Sequence, residues 1–257
     1  MTNLQQFTQR EIPYDILEKF GLTSKMIEDL PQNVTERFLS GKATPVLPVT
    51  MEKMTAGDDK FISYARISLI RLPDGTVDLC FAPKWDDVNL KEFTQEVQEK
   101  LLLGEVAAII MPDKGLCFVQ LDEAINQVMT VPAEIINQNI SILARSYAIP
   151  YDKISKLKDG GVTEIEINEQ ILSTGVDLNE PTGIRIVNGD TQTWREDAKA
   201  DRLPKYNFGL WGCWVADEEN SLTYIPEEDY TEEMYRELER AGNQNATREK
   251  LNQFKKY

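Results

Sequence analysis

Phe61-Ile62-Ser63-Tyr64-Ala65-Arg66-Ile67-Ser68-Leu69-Ile70-Arg71-Leu72, then Pro73-Asp74-Gly75, then Thr76-Val77-Asp78-Leu79-Cys80-Phe81-Ala82, is the run whose reading decides the fold. Two β-rich stretches flank a turn with a mechanism: proline presets φ and glycine accepts positive φ, so the chain doubles back. The same grammar returns twice. Glu105–Met111 and Leu116–Leu121 flank Pro112-Asp113-Lys114-Gly115, and Tyr206–Val215 and Leu222–Ile225 flank Asp217–Ser221. Gln127–Val131, Val162–Asn168, Ile171–Leu178 and Gly183–Val187 read as further strands. No β-α-β alternation points to a parallel sheet, and no internal repeat stands out in the sequence.

Helices surround these hairpins. Pro13–Phe20 stops at Gly21, Thr23 caps Ser24–Leu30, and Pro31 resets the chain for Gln32–Ser40, with apolar residues at helical spacing. Pro45-Val46-Leu47-Pro48-Val49 reads as an extended crossover. Leu90, Phe93, Val97 and Leu101 predict a helix over Asn89–Leu103, and a second helix runs from Pro132 to about Ala148. A short one follows Asp190. Asp229-Tyr230-Thr231-Glu232 resembles a capping box that opens an acidic C-terminal helix, and beyond Gly242 the chain is polar and expected to fray. The fold class is therefore α+β: N-terminal short helices, then antiparallel hairpins and meanders with interspersed helices, then a C-terminal acidic helix. Pro150–Gly161 reads as a linker with a short helix, and Gly160-Gly161 as a boundary. The expected division is residues 1–50 as a helical segment and crossover, 51–159 as a first α+β unit, and 160–257 as a second with the C-terminal helix.

Composition excludes much chemistry. The chain has 257 residues and no histidine, which removes Ser-His-Asp and Cys-His catalysis, His-ligated metals and an imidazole proton shuttle. Its three cysteines, Cys80, Cys117 and Cys213, are far apart, which fits reduced thiols in a cytoplasm and cannot supply a four-thiolate zinc site. No run reaches the roughly 18 apolar residues of a membrane span, and the first ten residues hold no apolar signal-peptide core. Lys+Arg 28 against Asp+Glu 43 leaves −15, so phosphate-rich nucleic acid and anionic membrane are repelled at long range. The nearest basic cluster, Arg248, Lys250, Lys255 and Lys256, reads as a solvated helix end. Asp217–Arg240 carries ten acidic residues against two arginines, which is either a solvated face or a docking surface for a basic partner.

Candidate sites are few. The chain lacks G-x-x-x-x-G-K-[ST] and G-x-G-x-x-G, the usual phosphate cradles. Asp217-Glu218-Glu219-Asn220-Ser221 with Glu228 echoes a calcium loop, but Leu222 stands where the turn needs glycine, so a polar hairpin loop is the plainer reading. Asp58-Asp59-Lys60 offers half of a metal-dependent nuclease site. Glu164 and Glu166 share a strand face, most simply a solvent face. Asp177 and Glu180 bracket a turn. The densest aromatic run, Tyr206 to Trp214, reads as one strand covered on both sides, with Phe208, Leu210, Gly212 and Trp214 on one face and Trp211, Cys213 and Val215 on the other. Core is one reading; a partner platform is the other, because tryptophan is enriched in hot spots.

Several words of the sequence are family-like. They include Ile12-Pro13-Tyr14, Leu17-Glu18-Lys19-Phe20-Gly21-Leu22, Glu28-Asp29-Leu30-Pro31 and Pro45-Val46-Leu47-Pro48-Val49. Further along come Phe118-Val119-Gln120-Leu121-Asp122, Gly175-Val176-Asp177-Leu178-Asn179-Glu180-Pro181-Thr182-Gly183, Gly212-Cys213-Trp214-Val215 and Tyr224-Ile225-Pro226-Glu227-Glu228. In these the chain resembles domain-of-unknown-function proteins carried on conjugative elements of Bacteroidetes. The resemblance implies a bacterial cytoplasmic accessory protein of a mobile element and carries no functional residue across.

The expectation is a non-enzymatic protein-binding module without cofactor or metal, its partner held by Trp211, Trp214, Glu227, Glu228, Glu232 and Glu233. Two alternatives stay open: an acidic DNA mimic that inhibits a host DNA-processing or defence enzyme, and a carboxylate-metal nuclease or hydrolase.

Overall fold

A computed structural model describes residues 6–52, 60–167, 169–197 and 202–242. Proline and glycine punctuate the N-terminal helices α1 (Tyr14–Lys19), α2 (Ser24–Glu28) and α3 (Gln32–Leu39). Thr23 Oγ1 accepts from the Met26 N–H at 3.3 Å, satisfying one of the free donors at the start of α2. Gly21 ends α1 with φ at 79°, packed so closely on Thr50 that a side chain would collide with it. Leu17, Leu22, Ile27, Val34 and Phe38 are all buried on the inner side of these helices.

Among the described residues four three-stranded antiparallel sheets follow, each a meander in chain order, so the architecture is α+β. The first joins β1 (Leu47–Glu52), β2 (Lys60–Arg71) and β3 (Val77–Pro83). The turn between β2 and β3 is the expected one: Gly75 has φ at 88°, and Asp74 Oδ1 accepts from the Thr76 N–H at 2.9 Å. The stretch expected as a crossover supplies β1 instead. Pro48 is tolerated there because β1 is an edge strand, where a missing donor breaks no inner ladder.

Helix α4 (Gln95–Leu102) begins six residues later than the apolar spacing predicts. Asn89 turns the chain by accepting from the Lys91 N–H, and Phe93 reaches the core from that turn. The second sheet, β4 (Ala107–Met111), β5 (Gly115–Asp122) and β6 (Gln127–Pro132), lies between α4 and α5 (Ala133–Tyr147). Val119 and Leu121 pack with Phe93 and Leu101, while Phe118 packs with Ile136 and Ile140. Strand β5 is thus buried on both faces. The short helix expected within Pro150–Gly161 is α6 (Tyr151–Lys158), and it is packed into the fold: its Leu157 is buried beside Val106 and Phe118.

The third sheet is β7 (Thr163–Ile167), β8 (Gln170–Val176) and β9 (Ile184–Asn188), followed by α7 (Thr191–Asp197). The fourth is β10 (Tyr206–Phe208), β11 (Gly212–Ala216) and β12 (Leu222–Pro226), followed by helix α8 over residues 232–242. The cap of α8 is Thr231, whose Oγ1 accepts from the Met234 N–H at 3.3 Å; Asp229 instead closes a 3-10 turn, Glu227–Asp229.

Cores gather out of chain order. Trp214, Ala216 and Leu222 of the last sheet pack with the N-terminal helices and with Leu47, Val49 and Ile67 of the first sheet. The Leu222 N–H donates to the Val46 carbonyl at 2.8 Å, stitching the two together. Val176 of β8 joins Val106, Ile136 and Leu157 in a second core, separate from the one around Phe93 and Leu101.

Candidate functional site

The run from Tyr206 to Trp214 is two strands, not one. Gly209 and Gly212 break it into the hairpin β10–β11, closed by the Gly209 N–H donating to the Gly212 carbonyl at 2.8 Å. This corrects the expected single strand. A distant carboxylate makes the turn possible. Asp29, at the end of α2, is 5% exposed and lies against the turn, where Oδ1 accepts from the Leu210 N–H at 2.5 Å and Oδ2 from the Trp211 N–H at 2.9 Å. The Tyr224 hydroxyl donates to Oδ2 at 2.6 Å. A buried carboxylate needs such donors to offset its desolvation. Asp29 fits so tightly that a Cβ on Gly209 would overlap its side chain.

The hairpin separates the two tryptophans that the sequence places in one strand. Trp214 is 0% exposed; its indole N–H donates to the Met26 carbonyl at 2.9 Å, and its ring meets Tyr224 edge-on at 5.1 Å. It is core. Leu210 and Trp211 sit at the tip instead, 76% and 42% exposed. Lys25 Nζ lies 4.7 Å over the Trp211 ring. Residues 28–32 and 207–211 line a cleft of about 330 Å³ beside the tip.

Acidic residues adjoin it. The Glu227 N–H donates to the Trp211 carbonyl at 3.3 Å, so the exposed Glu227 and Glu228 follow directly on the tip. Glu232 is exposed and pairs with Arg236 at 3.3 Å. Glu233 differs: it takes the Lys205 ammonium and the Tyr206 hydroxyl, each at 2.8 Å. Those two bonds hold its carboxyl below the usual range, and the Glu233 carboxylate, with Tyr206 adding to it, raises the Lys205 ammonium. Burial raises Tyr224, with the Asp29 hydrogen bond adding to it. Burial also pushes Tyr230 up to about 12 and the Cys213 thiol up to about 11.

A second polar cluster joins the first sheet to the second and third. Arg66 on β2 donates to Asp122 Oδ2 at 2.5 Å and to Asn179 Oδ1 at 2.9 Å. Asp177 accepts from the Asn179 N–H at 3.0 Å and from Arg185 Nε at 2.8 Å, so it organises the turn as the sequence suggests. Arg185 also reaches Asp197 at 3.2 Å and stacks 3.7 Å over Trp194, while Lys42 pairs with Glu180 at 2.8 Å. Each of these four carboxylates faces a cation, an arrangement that joins elements and leaves none of the four placed as a free general base.

The remaining candidates behave as loops and faces. Asp217 Oδ1 accepts from the Glu219 and Ser221 N–H groups at 2.9 and 2.8 Å, ordering its own hairpin loop. Glu164 and Glu166 are on the exposed face of β7, and Glu164 accepts from the Thr191 N–H. Asp58, Asp59, Arg248, Lys250, Lys255 and Lys256 lie outside the described residues. Among the described residues no group of three or more Cys, Asp or Glu is placed to hold a metal, and no helix is long and apolar enough to cross a membrane.

The central residue of the site, Asp29, was not singled out by the sequence. The signal that could have found it is Gly209 and Gly212, three apart inside an aromatic run, which marks a turn needing close backbone approach. No curated protein and no solved structure matches the chain. Asp29 falls within, and the Leu210–Trp211 tip outside, the segment of residues 7–92 over which the chain is similar to a family described as a protein of unknown function (DUF4099).

Proposed function

We propose that this chain is a non-enzymatic binding module that holds a protein partner on the Leu210–Trp211 tip and the acidic turn beside it. One observation carries the reading: two large apolar side chains are exposed on a turn whose backbone is fixed by a buried carboxylate. A tip ordered before binding loses less conformational freedom on association, so more of its contact energy appears as affinity. Exposed carboxylates such as Glu227 and Glu228 raise the association rate, while a desolvated aromatic anchor slows dissociation. The missing histidines and the cation-matched buried carboxylates support a role without chemistry. The net charge of −15 disfavours direct nucleic-acid binding. The resemblance of the sequence words supports a cytoplasmic accessory protein of a bacterial mobile element.

The test is quantitative capture from the bacterial host with the intact chain and with Leu210→Ser/Trp211→Ala, compared by mass spectrometry. A protein retained by the first and lost with the second, while both melt alike, supports the reading. Equal retention by both contradicts it.

A further inference from the structure

The surface reading above is the starting point; the chemistry around Trp211 goes further and selects a class of partner. We infer that the cleft beside the tip takes a basic side chain, with an arginine or lysine of the partner lying over the Trp211 ring and facing Glu28.

Trp211 already holds a cation. Lys25 Nζ stands 4.7 Å over its ring, inside the roughly 6 Å at which the quadrupole of an indole attracts a positive charge. Lys25 is exposed, so this cation is exchangeable for another that brings apolar neighbours with it. Glu28 is exposed on the same rim. Asp29, at the back of the cleft, is occupied by the Leu210, Trp211 and Tyr224 donors, so recognition of a cation falls to Trp211 and Glu28. The surrounding field is negative: the charges of Glu227 and Asp29 add to burial in raising Tyr230, and that of Glu28 adds to burial in raising Tyr14. Leu30, Pro31, Phe208 and Leu210 give the cleft its apolar walls. A volume of about 330 Å³ is at the small end of ligand sites, which suits one long side chain and its neighbour. A phosphate or a carboxylate would enter against the same field.

The probe is a fluorescein-labelled dodecapeptide with arginine at every third position and leucine between, titrated by anisotropy against the full chain. Trp211→Ala and Glu28→Gln are each expected to weaken it, the first by about tenfold. Lys25→Ala vacates the ring face and is expected to tighten it by about 2–5-fold, the size of an exposed cation–π contact. Lys158→Ala and Glu166→Gln change net charge by the same amounts at exposed positions on α6 and β7, neither of which lines the cleft, and should have little effect. Equal responses to Lys25→Ala and Lys158→Ala, or to Glu28→Gln and Glu166→Gln, would mean diffuse attraction to an acidic protein and overturn the inference. Tighter binding of a glutamate-for-arginine peptide, still lost with Leu210→Ser, would overturn the charge assignment while the apolar tip stands as a surface. Binding of the basic peptide that is indifferent to both Leu210→Ser and Trp211→Ala would overturn both.

Discussion

Asp29 and Trp211 stand 182 residues apart in sequence, and the Trp211 N–H donates to Oδ2 of Asp29 across 2.9 Å. The carboxylate that ends the second helix thereby shapes a hairpin near the other end of the chain. Removing it leaves the Leu210 and Trp211 N–H groups and the Tyr224 hydroxyl without their acceptor. Asp29→Ala is expected to lower stability by about 2–4 kcal/mol, because several hydrogen bonds to one charged group are lost together. Amide exchange at Leu210 and Trp211 should accelerate beyond what global unfolding explains. Unchanged exchange at these two amides would show that the turn holds itself.

Two tryptophans three residues apart should respond in opposite ways. Trp214→Ala empties a fully buried site and is expected to cost about 3–5 kcal/mol in a urea melt. Trp211→Ala removes an exposed ring and should leave the melt within about 1 kcal/mol, since surface substitutions seldom cost more.

The ion pair of Arg66 and Asp122 ties β2 of the first sheet to β5 of the second, with side chains 11% and 7% exposed. Either Arg66→Met or Asp122→Leu alone leaves a poorly solvated charge and is expected to cost about 3–5 kcal/mol. Arg66→Met combined with Asp122→Leu should recover much of that loss. Strict additivity in the double-mutant cycle would mean that the pair is not coupled.

Alkaline pH should weaken the fold in a defined window. Cys213 is raised from its ordinary value of 9 to about 11, and Tyr230 from 10 to about 12, chiefly by burial. Both groups are therefore neutral longer in the folded chain than in the unfolded one. Their contribution is complete below about pH 9 and is lost as pH rises towards 12. Tyr230→Phe should flatten the upper part of that decline. At neutral pH a thiol reagent should modify the exposed Cys80 and spare Cys117 and Cys213 until the chain unfolds.

What was legible in the sequence was local. Pro13, Thr23, Pro31 and Gly21 announce three helices because each acts on its own turn, and Pro73-Asp74-Gly75 announces a hairpin for the same reason. Asn89 shows the limit of periodicity: Leu90 and Phe93 keep helical spacing yet reach the core from a turn that its side chain stabilises. The tip of the last sheet was illegible because its turn depends on Asp29, a contact across most of the chain. Alternation along Tyr206–Val215 therefore put Trp211 and Leu210 on the faces of a strand that does not exist as one piece. Trp211, Glu227 and Glu228 do lie together, whereas Trp214 is core and Glu233 is engaged by Lys205 and Tyr206. Arg66 and Asp122 gave no local signal either, since their pairing follows from how two sheets pack.

The most direct measurement is site-specific photo-crosslinking in the native host cell, with a benzophenone amino acid in place of Leu210 at the tip or of Leu103, equally exposed after α4. The expected result is one discrete protein adduct from position 210, absent from position 103 and lost when Asp29→Ala frees the turn. The same adduct from both positions, or an adduct at 210 that survives both Asp29→Ala and Trp211→Ala unchanged, would contradict a partner site built on this tip.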